Sequence, residues 1–131
     1  MSEYKYVKII MSNYSDRKDT RYELHTENGT EYPTIIEIEG KDIGCLHLYS
    51  SALLKPDLVE ILHIRIYDQA QGQGSKLLKF LCDKADNLNI TLYVMPVADK
   101  SKNSIPLYKL KEWYRKFGFK GDLTMERKPN A

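Results

Sequence analysis

The chain has little cysteine, little histidine, no long apolar run and no excess of either charge. Its two cysteines, Cys45 and Cys82, stand far apart with no further Cys or His at close spacing. That excludes a disulfide framework and a structural zinc site, and it fits a reduced intracellular compartment. The histidines, His25, His47 and His63, have no metal-ligand spacing; no metal is expected, and each reads as a satisfied structural residue. No stretch approaches the ~18 consecutive apolar residues of a membrane-spanning helix. The opening Met1-Ser2-Glu3-Tyr4-Lys5 lacks the basic start and apolar core of a signal peptide. A cytoplasmic protein with no membrane partner is therefore expected. Lys and Arg number 20 against 18 Asp and Glu, a net charge of +2 with no long block of one sign, which gives no indication for or against nucleic acid. Linkers, repeats and low-complexity segments are also missing. The 131 residues read as one domain, 1–131, large enough to bury roughly two thirds of its unfolded surface.

What is there is an order of elements. Residues 4–11 (YKYVKIIM) are rich in β-branched and aromatic residues and read as a first strand. After the polar residues 13–19, residues 21–27 (RYELHTE) alternate into the turn dipeptide Asn28-Gly29, which predicts a short hairpin strand, with one turn of helix as the competing reading. Residues 34–39 and 43–50 flank Gly40-Lys41-Asp42 and form the clearest β-hairpin. Residues 58–66 (LVEILHIRI) make a long apolar run of the kind that suits a central strand covered on both faces. From Lys76 to Asn87 the apolar Leu77, Leu78, Leu81, Cys82 and Ala85 recur at helical spacing. Residues 90–97 read as a strand. Pro106 opens a second helix carrying Leu107, Leu110, Trp113, Tyr114 and Phe117, and Gly118 can cap it. Residues 119–127 supply a last strand. A β-rich half followed by strand, helix, strand, helix, strand gives a mixed α/β or α+β domain.

Between the central strand and the first of those helices lies Gln69-Ala70-Gln71-Gly72-Gln73-Gly74-Ser75. Two glycines, two residues apart where a strand turns into a helix, let backbone amides approach an anion. The helix that begins there adds free N–H groups and the positive end of its dipole. The loop therefore reads as an anion-binding turn. It lacks the longer glycine loop and Lys-Ser/Thr pair of a P-loop.

In this order the chain resembles the GNAT superfamily of acetyl-CoA-dependent N-acetyltransferases. The residues Gln69-Ala70-Gln71-Gly72-Gln73-Gly74 match that family's Gln/Arg-x-x-Gly-x-Gly/Ala signature, placed between its fourth strand and the following helix. Trp113-Tyr114-Arg115-Lys116-Phe117-Gly118-Phe119 is similar to its second recurrent string, before the last strands. The resemblance covers residues 58–125. It implies a GNAT-like acyl-CoA N-acyltransferase fold, a central, mostly antiparallel mixed sheet flanked by helices. Where family members usually carry two helices, residues 13–31 here leave room for little more than one turn, so reduced N-terminal helices are implied.

The resemblance also implies roles. Gln69, Gln71, Gly72, Gln73, Gly74 and Ser75 would hold the pyrophosphate of acetyl-CoA. Ile64, Arg65 and Ile66 would run beside its pantetheine arm and pair with it as an added strand does. The family's fourth and fifth strands splay apart to admit the thioester, and a backbone N–H near Ile64 would face the oxyanion. Tyr114 matches the family's tyrosine and would be the general acid for the thiolate, as a phenol of pKa near 10 can be. Glu60, a carboxylate inside an otherwise apolar strand, is the candidate general base, directly or through a water. His63, three residues on, faces away from Glu60 in a regular strand, and only a bulge would change that parity. The ten tyrosines, several of them in the N-terminal half, either border an acceptor groove or form strand surface. Basic residues within 100–120 either hold the cofactor's 3′-phosphate or coat a solvated helix. The expected reaction is acetyl transfer to a primary amine, of a small molecule or a protein, by direct attack in a ternary complex; no activated cysteine or serine points to a covalent intermediate. A homodimer through the C-terminal strands is a further implication. The alternatives are a non-catalytic acyl-CoA-binding or protein-interaction module of the same fold, favoured by the short 13–31 region, and a nucleotide-binding regulator.

Overall fold

Spacing overrides composition at the start of the chain. Residues 4–11, which read as a strand, lie inside helix α1 (Ser2–Ser12) in the computed structural model, which describes residues 2–50, 56–67, 72–97 and 105–130. Glu3, Tyr6, Val7, Ile10 and Met11 recur at three and four residues and so share one helical face. A strand would instead have put Lys8 on the same side as Tyr6 and Ile10. Tyr6 and Ile10 are fully buried, and Glu3 is buried beside them. The Tyr6 hydroxyl donates to the Leu81 carbonyl at 2.8 Å, which docks α1 on the long helix.

The Asn28-Gly29 turn joins β1 (Leu24–Thr26) and β2 (Gly29–Glu31) in a small antiparallel hairpin. The main sheet has six strands: β3 (Thr34–Ile38), β4 (Lys41–Tyr49), β5 (Leu58–Ile66), β6 (Thr91–Val94), β7 (Lys120–Gly121) and β8 (Met125–Arg127). Their order is β3-β4-β5-β6-β8-β7, antiparallel throughout except for β5 and β6. A parallel pair needs a crossover, and α2 (Gln73–Leu88) supplies it. This helix starts three residues before Lys76, so Gln73, Gly74 and Ser75 are its first turn. β6 is shorter than the expected 90–97, because the chain leaves the sheet after Val94. The expected last strand, 119–127, folds back through a bend at residues 122–124 into β7 and β8. Helix α3 (Leu107–Lys116) begins after Pro106.

One face of the sheet, with Ile36, Leu46, Val59, Ile61 and Leu92, packs on α1 and α2, and Tyr114 of α3 joins the same core. Arg127 locks the edge of this core. Its guanidinium pairs with Asp86 on α2 through two bonds, 2.8 and 3.0 Å, and donates at 2.6 Å to the Phe117 carbonyl at the end of α3. No helix among the described residues is long and apolar enough to cross a membrane.

Two irregularities interrupt the pairing of β5. The β5–β6 ladder ends at Ile61–Val94 although β5 continues to Ile66. In the β4–β5 ladder His63 pairs with His47 and Ile61 with Leu48, so Leu62 is an extra residue, a β-bulge in β5.

Candidate active site

Where β6 turns away, a slot opens in the sheet. Its cavity is about 570 Å³, walled by residues 61–66 of β5, by 94–97 beyond β6, by Gly72, Gly74 and Ser75, and by Trp113 and Tyr114 of α3. The splay expected of the fourth and fifth strands of the resemblance is thus present between β5 and β6. Ile64, Arg65 and Ile66 line the slot.

The glycine turn stands at one side of it. Gly72 is the residue before α2 and has φ 66°, a left-handed conformation that glycine adopts without strain. Among the described residues no side chain caps this helix end, and no acidic residue sits in its first turn, so its leading N–H groups and the positive end of its dipole favour an anion. Gly74 is where α2 meets its neighbours: a Cβ there would lie 3.1 Å from Ile66 and 3.5 Å from Trp113. Trp113, on the face of α3 turned to the slot, donates its indole N–H to Ser75 Oγ at 2.9 Å. The turn is therefore tied to α3 as well as to β5. Gln73 is the first residue of α2, whereas Gln69 and Gln71 fall outside the described residues.

Tyr114 is fully buried, packed between Trp113 and Phe119 with ring centroids 5.0 and 5.2 Å away, and it borders the cavity. Burial pushes its phenol well above the ordinary value, so it carries its proton at neutral pH. Glu60 does not border the cavity. It lies one position below the mouth of the slot, half-buried, opposite Tyr49 on β4 and Tyr93 on β6. Desolvation raises its carboxyl pKa.

The bulge at Leu62 changes the parity that a regular strand would have. Tyr49 pairs with Glu60 and His47 with His63, so Glu60 and His63 share the sheet face turned away from the helices. His63 borders the cavity, and its Nε2 is buried without a hydrogen-bond partner. The expectation of a satisfied structural histidine is thus corrected for His63. His47 does meet a carboxylate, with Nε2 3.4 Å from Glu31.

Residues 13–31, whose role the sequence left open, lie over this face beside the slot. Asp19 is buried and takes bonds from Arg21 at 2.9 and 2.7 Å and from the Tyr67 hydroxyl. These bonds hold its carboxyl far below the usual range, the Arg21 bond being the largest cause. Tyr22 then packs against His63 with ring centroids 5.1 Å apart and planes inclined at 39°, and lies under Arg65 and Arg21 at 5.3 and 5.5 Å. The local signal for this wall was Asp19 and Arg21 two apart. Its partner Tyr67 is 48 residues away and was not legible.

Among the described residues no group of His, Cys, Asp and Glu could hold a metal ion. Cys45 and Cys82 are free and buried, and burial pushes each thiol up to about 11, which leaves them protonated and unreactive at neutral pH.

Comparison with known proteins points one way. Two solved structures share the fold. The anti-CRISPR protein AcrVA5 matches at 23% identity and TM-score 0.51, over 70% of this chain and 93% of its own. A GNAT family acetyltransferase from Elizabethkingia anophelis with acetyl-CoA bound matches at 19% identity and TM-score 0.53, over 74% of this chain and 75% of its own. A search of curated proteins finds no match. The sequence profile of the acetyltransferase (GNAT) family matches residues 4–111. With the slotted mixed sheet and the glycine turn at the start of α2, that match over most of the chain establishes that this protein belongs to the GNAT acetyltransferase family.

Proposed function

We propose that the chain, as one domain, transfers the acetyl group of acetyl-CoA to a primary amine by direct attack in a ternary complex. The observation that carries this reading is the slot itself. One cavity brings together the uncapped N-terminus of α2, the strand residues 62–66 and the protonated Tyr114. The donor set fits a coenzyme A thioester: an anion-favouring helix end for the pyrophosphate, an apolar strand wall for the arm, and a phenol at the far side. When bound, it would supply an acetyl group already activated for attack.

Each part of the slot has a proposed task. Backbone N–H groups of Gly72, Gln73, Gly74 and Ser75 hold the pyrophosphate, with Gln69 and Gln71 extending the cradle. Ile64, Arg65 and Ile66 line the arm, and the Ile64 backbone N–H faces the developing oxyanion. Tyr114 gives its proton to the departing sulfur; its raised pKa keeps that proton available across the neutral range. Glu60, below the slot, is the carboxylate on the amine side and takes a proton through water. With both thiols protonated and buried, direct attack is favoured over an acyl-cysteine. Two free, unbridged cysteines also accord with a cytoplasmic setting.

The test has two stages. Acetyl-CoA should raise the unfolding temperature and ATP should not. A thiol-release assay with spermidine, kanamycin, a lysine peptide and a peptide with a free N-terminus should then find an amine that is acetylated. Stabilisation by acetyl-CoA without release on any amine would instead favour a non-catalytic binding module.

A further inference from the structure

His63 Nε2 is the one buried side-chain polar atom without a partner among the described residues. Leaving such a nitrogen unsatisfied is costly, which calls for an explanation. Three features place it on the reaction path of the proposed acetyl transfer, on which this inference rests. His63 borders the slot. The bulge at Leu62, one residue earlier, turns it onto the same sheet face as Glu60, and bulges beside sites commonly re-aim a side chain in this way. Tyr22 fixes the ring from above, itself held under Arg65 and Arg21. The charged and titratable groups around it are Arg65 on its own strand, His47 opposite on β4, and Asp19 in the segment before β1. Burial and Arg65 favour the neutral ring, and Asp19 opposes them.

We propose that His63 is the catalytic residue that takes the proton of the attacking amine. As the nitrogen–carbon bond to the acetyl group forms, the amine N–H bond breaks toward His63 Nε2. As the carbon–sulfur bond breaks, the Tyr114 hydroxyl proton goes to sulfur. The imidazolium then releases its proton to solvent, or through water to Glu60, and Tyr114 regains one from solvent. The products are an amide and a free thiol, and both side chains return to their starting states.

The experiment compares wild type, His63→Gln and Glu60→Gln in thiol release from acetyl-CoA with spermidine, kanamycin and the two peptides, between about pH 6 and 9. His63→Gln should lower kcat by about 10²-fold or more and remove the ionisation that limits wild type on the acid side, with stabilisation by acetyl-CoA unchanged. A folded His63→Gln within about threefold of wild type and with the same pH profile overturns the proposal while leaving acetyl transfer standing. A wild type that binds acetyl-CoA yet acetylates no amine overturns both. Should the variant not fold, the nitrogen-15 spectrum of the wild-type His63 ring decides. A proton-free Nε2 at neutral pH that shifts on addition of acetyl-CoA is expected, and a protonated or unresponsive Nε2 overturns the assignment.

Discussion

The two ends of β5 draw on similar residues and end in different surroundings. At the first end, residues 58–61 pair with β6, and Leu58, Val59 and Ile61 are buried. At the second, residues 63–66 pair with β4 while β6 has turned away, and the strand lines a cavity. The closed end is a frame, braced by β8 and by the pairing of buried Arg127 with half-buried Asp86. The open end gives up one strand neighbour, and a cavity takes its place. Leu62, the bulged residue, is the joint between them. A single strand can thus serve as both core and site when one extra residue resets its parity. Stability and activity should therefore separate along β5 and its neighbours.

The largest effect is expected at the frame. Arg127→Ala removes a buried guanidinium together with its bonds to half-buried Asp86 and to the Phe117 carbonyl, which should destabilise the fold by about 2–3 kcal/mol in denaturant unfolding. Leu62→Ala, at the half-buried joint, should cost much less, under about 1 kcal/mol. Equal losses in the two variants would erase the distinction between closed and open ends.

At the open end the effect should fall on turnover. Tyr114→Phe keeps the ring between Trp113 and Phe119 and loses only the hydroxyl. It should lower kcat by about 10²-fold with acetyl-CoA affinity nearly unchanged. Wild-type turnover in that variant would remove Tyr114 from the mechanism.

The smallest effect concerns pH. Burial is the largest cause holding His47 and His63 below the ordinary histidine value. In the window from about pH 6.5 down to their folded-state values, the unfolded chain binds more protons than the fold. Their contribution to stability is thus present above that window and is lost as pH falls through it, at up to about 1.4 kcal/mol per pH unit for each group. Asp19 and Asp86, whose pKa values are lowered by bonds from Arg21 and Arg127, lose theirs only below the ordinary carboxylate range. Unfolding should therefore become easier between about pH 7 and 5, and His47→Gln should flatten that slope. A slope unchanged by the substitution would mean that His47 is not held neutral by the fold.

Much of this arrangement could be read from residues that act locally. The strand 58–66, the hairpin around Gly40, the face of Leu77, Leu78 and Leu81, and the turn at Gly72 and Gly74 all follow from spacing and turn chemistry. Other features could not be read that way. Helix α1 was hidden by the β-branched and aromatic residues of 4–11, although the run Glu3, Tyr6, Val7, Ile10 carried the three-and-four spacing that decides it. The bulge at Leu62 could not be counted from spacing alone: Glu60 and His63 stand three residues apart, which in a regular strand means opposite faces, and only their pairing with Tyr49 and His47 puts them on one. The wall made by Asp19, Arg21, Tyr22 and Tyr67 depends on a contact far apart in the chain, and the Trp113–Ser75 bond likewise joins two signatures that the sequence presents separately.

Every role proposed for the open end requires that acetyl-CoA lie in the gap between β5 and β6 with its pyrophosphate on the start of α2. Backbone amide chemical shifts recorded with and without acetyl-CoA test this most directly. The largest changes are expected at Ile64, Gly72, Gly74 and Ser75 and at the indole N–H of Trp113. Changes confined to the smaller cavity between α1 and β4, around Val7, Met11, His47 and Tyr49, or no changes at all, would contradict it.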